Sequence, residues 1–80
     1  MNEIETSLYD FIREEFDIGD DPEYTSEADL FGGGFVDSLD AFTILTFCEE
    51  KWGIEITQRD LTLFPMNTVR EIASVVAGKL

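Results

Sequence analysis

The stretch "DLFGGGFVDSLDAF", residues 29–42, decides the reading of this chain. Three glycines lead through Phe35 and Val36 to Asp37-Ser38-Leu39-Asp40, where a long apolar pattern begins. Asp37 stands where a helix N-cap belongs, and Asp40 follows at the spacing of a capping box. Both carboxylates complement the positive end of a helix dipole. The spacing predicts a helix over 38–52, with Leu39, Phe42, Leu45 (or Ile44), Cys48 and Trp52 as its buried face and Gly53 as its stop. Only one residue is needed to cap. If Asp37 does so, Ser38 is left at the first helical position with its hydroxyl free, beside a helix end that favours anions such as a phosphodiester. The plainer alternative is that Ser38 merely suits a helix start and that the glycines are ordinary loop residues. Spacing alone favours the plainer alternative.

Upstream, residues 19–37 hold no period, and so long a loop in a small domain reads as functional. Leu30 and Phe31 should anchor it, while Gly32, Gly33 and Gly34 should free the backbone and keep side chains from crowding Ser38. Residues 3–16 form a helical stripe of Ile4, Leu8, Phe11, Ile12 and Phe16, with Asn2 as cap, Glu5 completing a capping box and Gly19 at C′. Downstream, "IEI" at 54–56 is extended. Thr57 and Asp60 then cap a short helix carrying Leu61, Leu63 and Phe64, which Pro65 stops. Thr68 and Glu71 open a last helix whose stripe is Val69, Ile72, Ala73, Val76 and Leu80. The expected fold is all-α: one domain over 1–80, a small four-helix bundle of three long helices and one short helix, with a long loop between helices 1 and 2.

At 80 residues the chain is near the lower limit for a core without staples, yet its 44% hydrophobic content is enough to build one. A net charge of −13, from 18 acids against 5 bases, repels nucleic acid and anionic membranes and points to soluble partners with basic docking surfaces. A single cysteine, Cys48, cannot form an internal disulfide, and no signal peptide or membrane-length apolar run is present. The expectation is therefore a cytoplasmic protein without membrane insertion. It opens with Met1 and has no linker-like end, which fits a free-standing protein or an excised domain with an added start residue.

Histidine is absent, which removes the Ser-His-Asp triad and most zinc sites. No Gly-Lys-Ser/Thr follows the glycines, so they are not a Walker loop. The acidic run "DIGDDPEYTSEA", 17–28, has Pro22 and Ala28 where a calcium loop needs glycine and glutamate. The expectation is a non-enzyme.

Residues 34–57, "GFVDSLDAFTILTFCEEKWGIEIT", resemble the phosphopantetheine attachment region of the acyl carrier protein superfamily, which includes acyl, peptidyl and D-alanyl carriers. The likeness rests on Asp37-Ser38-Leu39, the long second helix, the "EEKWGIEI" exit, the short third helix and the final helix, and it covers nearly the whole chain. It implies that Ser38 is esterified by 4′-phosphopantetheine taken from coenzyme A. It further implies that Asp37 and Leu39 are read by a phosphopantetheinyl transferase. Cargo would then be held as a thioester, loaded by a ligase or acyltransferase and passed to a downstream synthase or transferase. By the same resemblance Phe42, Thr43 and Thr46 belong to the partner surface, and Ile56 and Leu61 lie near the groove for arm or cargo. Thr43 stands where fatty-acid carriers have an acid, and Val36-Asp37 where peptidyl carriers have Gly-His. An apolar pair before Asp-Ser is more similar to D-alanyl and other stand-alone aminoacyl carriers.

Plainer roles stand beside these. Phe42, Ile56 and Leu61 also suit core packing, Cys48 reads as an inert core thiol, and Trp52 as the closure of one core end. Glu49 and Glu50 read as solvated acids, with docking of basic partners as the alternative. The aromatic content could fill the interior and favour a small or polar cargo carried outside. The expected state is a monomer. The competing function is an unmodified acidic adaptor that docks basic proteins through the second helix.

Overall fold

The computed structural model describes residues 2–80, and four helices account for its regular structure: α1 Glu3–Glu15, α2 Ser38–Trp52, α3 Gln58–Leu63 and α4 Val69–Lys79. The bundle expected from the sequence is the one observed. Each helix begins at its predicted cap. Asn2 accepts from the Glu5 amide (2.8 Å), Asp37 from those of Leu39 and Asp40, Thr57 from that of Asp60, and Thr68 from that of Glu71. These side chains satisfy amides that the first turn leaves without partners.

Helix α1 stops earlier than Gly19. Asp17 takes the left-handed conformation (φ 52°). The Ile18 amide donates to Arg13 O (3.0 Å) and the Asp17 amide to Glu14 O (3.4 Å), closing a Schellman turn with aspartate in the position that glycine usually fills. Ile18 follows and packs on the core.

The core joins Leu8 and Ile12 of α1, Ile44 and Cys48 of α2, and Val69, Ile72, Ala73 and Val76 of α4. Helices α1 and α4 pack directly together. Three further buried side chains come from the loop: Tyr24, Leu30 and Val36. Each fully buried aliphatic side chain contributes about 1.5–3 kcal/mol relative to exposure, so this loop is a structural element. Tyr24 stacks on Tyr9 with ring centroids 4.3 Å apart. Each tyrosine hydroxyl donates to the other's backbone carbonyl, at 2.7 and 2.9 Å. Arg13 donates to the Tyr9 hydroxyl (2.7 Å) and lies over its ring. Burial, followed by the neighbouring Tyr9, pushes the Tyr24 hydroxyl well above its ordinary pKa. The loop is also tied to the start of α4, through Leu30 N–H to Asn67 O and Arg70 N–H to Ser26 O, both 2.9 Å.

Two predicted faces need correction. Along α2 the buried residues are Ile44 and Cys48, whereas Leu39 and Phe42 point outward at 74% and 68% exposure. Apolar residues surround this helix, so periodicity does not identify the side that meets α1 and α4. Leu80 lies beyond the last turn of α4 and is exposed, because the helix ends at Lys79.

Candidate functional site

Asp37 caps α2, and Ser38 does not. One carboxylate oxygen, Asp37 Oδ1, accepts from the amides of Leu39 and Asp40, each at 2.9 Å. Asp40 Oδ2 accepts from the Asp37 amide at 3.0 Å, completing the reciprocal box. Ser38 therefore occupies the first helical position, exposed to solvent and without the capping task. The same geometry corrects the expected anion affinity of this helix end. The Leu39 and Asp40 amides are already taken by Asp37, and two carboxylates flank the serine. A phosphodiester here would be held by its covalent bond and solvated by water, with no cradle of amides.

The glycine run is equally unlike the expected free backbone. Asp29 Oδ1 accepts from the amides of Phe31 (3.1 Å) and Gly32 (2.9 Å), capping a single helical turn. That turn ends as α1 does: Phe35 N–H donates to Leu30 O (3.0 Å) and Gly34 N–H to Phe31 O (3.2 Å), with Gly34 at φ 79°. A Cβ at Gly33 would lie 2.7 Å from the Asp29 carbonyl oxygen, so this glycine is required by close backbone approach. Leu30 and Phe31 anchor the turn as expected, Leu30 in the core and Phe31 against it. Val36, buried, follows immediately. The approach to Ser38 is thus a rigid staple, and its position is set by Leu30 and Val36.

Around Ser38 the outer face of α2 presents Leu39, Phe42, Thr43 and Thr46, all exposed. Phe42 is thereby assigned to the surface and not to the core. Ile56 is half-buried and packs against the core, away from open solvent, while Leu61 on α3 is 41% exposed. Leu61 borders a cleft of about 190 Å³ between α2 and α3, whose walls include Phe31, Ala41, Leu45 and Met66. Ala41 and Leu45 follow Ser38 by one and two turns on one side of α2. The sequence reading missed Met66 and Asn67 at this cleft; both lie in a connection with no periodicity to flag them.

Three neighbouring expectations were tested by the packing. Cys48 is fully buried and its thiol is pushed up to about 12, first by burial and then by Glu49, which makes it inert at neutral pH. Trp52 meets Phe47 edge-on at 5.7 Å and closes that end of the core. Glu49 is not simply solvated: its carboxylate accepts from the Ile56 amide at 2.9 Å and ties the extended 54–57 segment to α2. An acid one turn before a helix-ending glycine was the available signal.

No group of metal-ligating side chains is assembled among the described residues, and no helix among them is long and apolar enough to cross a membrane. The chain matches no protein-family model, no curated protein and no solved structure.

Proposed function

We propose that this protein is a carrier whose Ser38 hydroxyl is the attachment point for 4′-phosphopantetheine. The observation that carries the reading is the division of labour at the start of α2. Asp37 satisfies the helix amides, so the serine oxygen is left exposed and uncommitted on a rigid helix end. Once attached, the arm supplies a flexible tether and a thiol that holds acyl or aminoacyl cargo as a thioester. The residues present fit a group held by one covalent bond. They offer an open hydroxyl and no competing side chain, and they need no pocket.

The chain's own part is to position and to be recognised. The capping box fixes the backbone at the serine, and the stapled turn before it ties that helix end to the body. Leu39 and Phe42 supply exposed apolar contacts for a transferase, a loading ligase or acyltransferase, and a downstream synthase or transferase. The net charge of −13 steers such enzymes through basic surfaces. Tethering raises the effective concentration of cargo at successive active sites without acid-base chemistry from the carrier, which makes the protein a substrate of enzymes and not one itself. A monomer in the cytoplasm suits that role.

Exposed Leu39 and Phe42 would equally serve an unmodified acidic adaptor. Intact-protein mass spectrometry separates the two readings. The chain is incubated with coenzyme A and a promiscuous phosphopantetheinyl transferase, beside Ser38→Ala. Gain of one phosphopantetheine on the native chain alone is the expected result. A folded chain that gains nothing would leave the adaptor.

A further inference from the structure

A second surface lies between α1 and α2, sharing Thr43 and Thr46 with the exposed face of α2 that begins at Ser38. It is a shallow, open groove lined by Phe11, Glu15, Thr43, Thr46, Phe47 and Glu50. Its floor is aromatic and already assembled: the Phe11 and Phe47 rings stack with centroids 3.9 Å apart and planes within 11°, and Trp52 braces Phe47 from the side. Both stacked rings are only half-buried. A stacked pair of this kind, held from below by the core, offers a rigid apolar contact that loses little entropy on binding.

The rim is acidic in a way that costs stability. Glu15 closes α1, and Glu50 lies in the last turn of α2, so both carboxylates sit at the negative ends of helix dipoles. Neither is relieved by a cation: the two ion pairs among the described residues are Arg70–Glu27 and Lys79–Asp60. Arg13, the base in the last turn of α1, is occupied with Tyr9, and Lys51 lies toward Trp52. Two unpaired acids against the local field, on either side of an aromatic floor, mark a place where an incoming cation is favoured twice, by the carboxylates and by the helix ends.

We infer that this groove docks a segment of a partner protein in which one aromatic or branched apolar side chain is flanked by lysine or arginine. The apolar side chain covers the Phe11–Phe47 stack, the cations meet Glu15 and Glu50, and the Thr43 and Thr46 hydroxyls complete the polar rim. The site does not require modification of Ser38.

The test is an NMR titration of the native chain at low salt with acetyl-Lys-Lys-Phe-Lys-Lys-amide, beside the same peptide with glycine in place of phenylalanine. Expected are saturable shifts of the Phe11 and Phe47 ring signals and of the Thr43 and Thr46 amides, with affinity about tenfold higher for the phenylalanine peptide. Thr46→Lys, a substitution at an exposed position, should abolish them while the rest of the spectrum is retained. Glu50→Gln should weaken them several-fold, and Ser38→Ala should change nothing. Equal affinity for both peptides, shifts spread over all the acidic residues, or full binding by Thr46→Lys would overturn the inference. So would concentration-dependent shifts of the same residues without peptide, which would make a second copy of the chain the occupant. Because Ser38→Ala is expected to be silent here, failure of this surface and failure of the carrier reading are separately visible.

Discussion

The segments 16–37 and 53–68 both join long helices, and they do so in opposite ways. The first contains one isolated helical turn, yet it places Tyr24, Leu30 and Val36 in the core. The second contains α3, which has a complete reciprocal capping box and buries no residue. A helix this short is marginal by itself. Its order rests on the Thr57–Asp60 box, on the Glu49 anchor at Ile56 and on Lys79, whose ammonium meets Asp60 at 2.7 Å. Regular hydrogen bonding and burial are therefore independent quantities in this molecule. The irregular loop is held by buried side chains together with hydrogen bonds to Tyr9 and to the start of α4, and the regular helix by polar contacts at its ends without burial.

The contrast breaks most readily at Leu30. Leu30→Ala removes a fully buried side chain and should cost about 2–5 kcal/mol in urea unfolding, while Leu63→Ala on α3 (57% exposed) should change stability by less than about 0.5 kcal/mol. Equal effects would refute the assignment of structural weight to the loop. A smaller loss is expected from Gly34→Ala. The left-handed backbone at φ 79° disfavours a Cβ by about 1–2 kcal/mol, although open space surrounds the position. An unchanged midpoint would show that the turn before Ser38 relaxes freely, as its glycine content alone suggests.

The smallest effect sharpens the other side of the comparison. Asp60 is held at about 2, below its ordinary 3.8, first by the hydrogen bond from Lys79 and then by the Thr57 amide. A depressed folded-state value means that the folded protein prefers the charged carboxylate. Its contribution is complete above the unfolded value and is lost as pH falls from 3.8 toward 2. Amide exchange of α3 should therefore accelerate on acidification through that window, relative to other regions, and Asp60→Asn should remove that pH dependence. An α3 insensitive to both changes would mean that something other than its polar ends holds it.

Much of this was readable residue by residue. Asn2, Asp37, Thr57 and Thr68 mark all four helix starts because a cap is a local interaction between a side chain and an amide two or three residues on. The freedom of Ser38 followed from the same logic, since Asp37 was present to take the capping role. The end of α1 was misplaced because aspartate, not glycine, took the left-handed position. Tyr24 and Val36 gave no periodic signal, and the glycine run looked flexible because its order comes from the Asp29 carboxylate and from the Asp29 and Leu30 carbonyls, bonds that composition does not reveal.

What the sequence by itself determined is the set of local events: four capped helices, an acidic surface, a chain without histidine, and a serine at a helix threshold. What only the tertiary structure decided is which sides of those helices face inward. Helix α2 is apolar nearly all round, so its inner face was chosen by where α1, α4 and the loop could close-pack around Ile44 and Cys48. That choice turned Leu39 and Phe42 outward beside Ser38 and opened the Phe11–Phe47 groove. Burial depends on neighbours distant in sequence, and hydrogen-bonded caps do not.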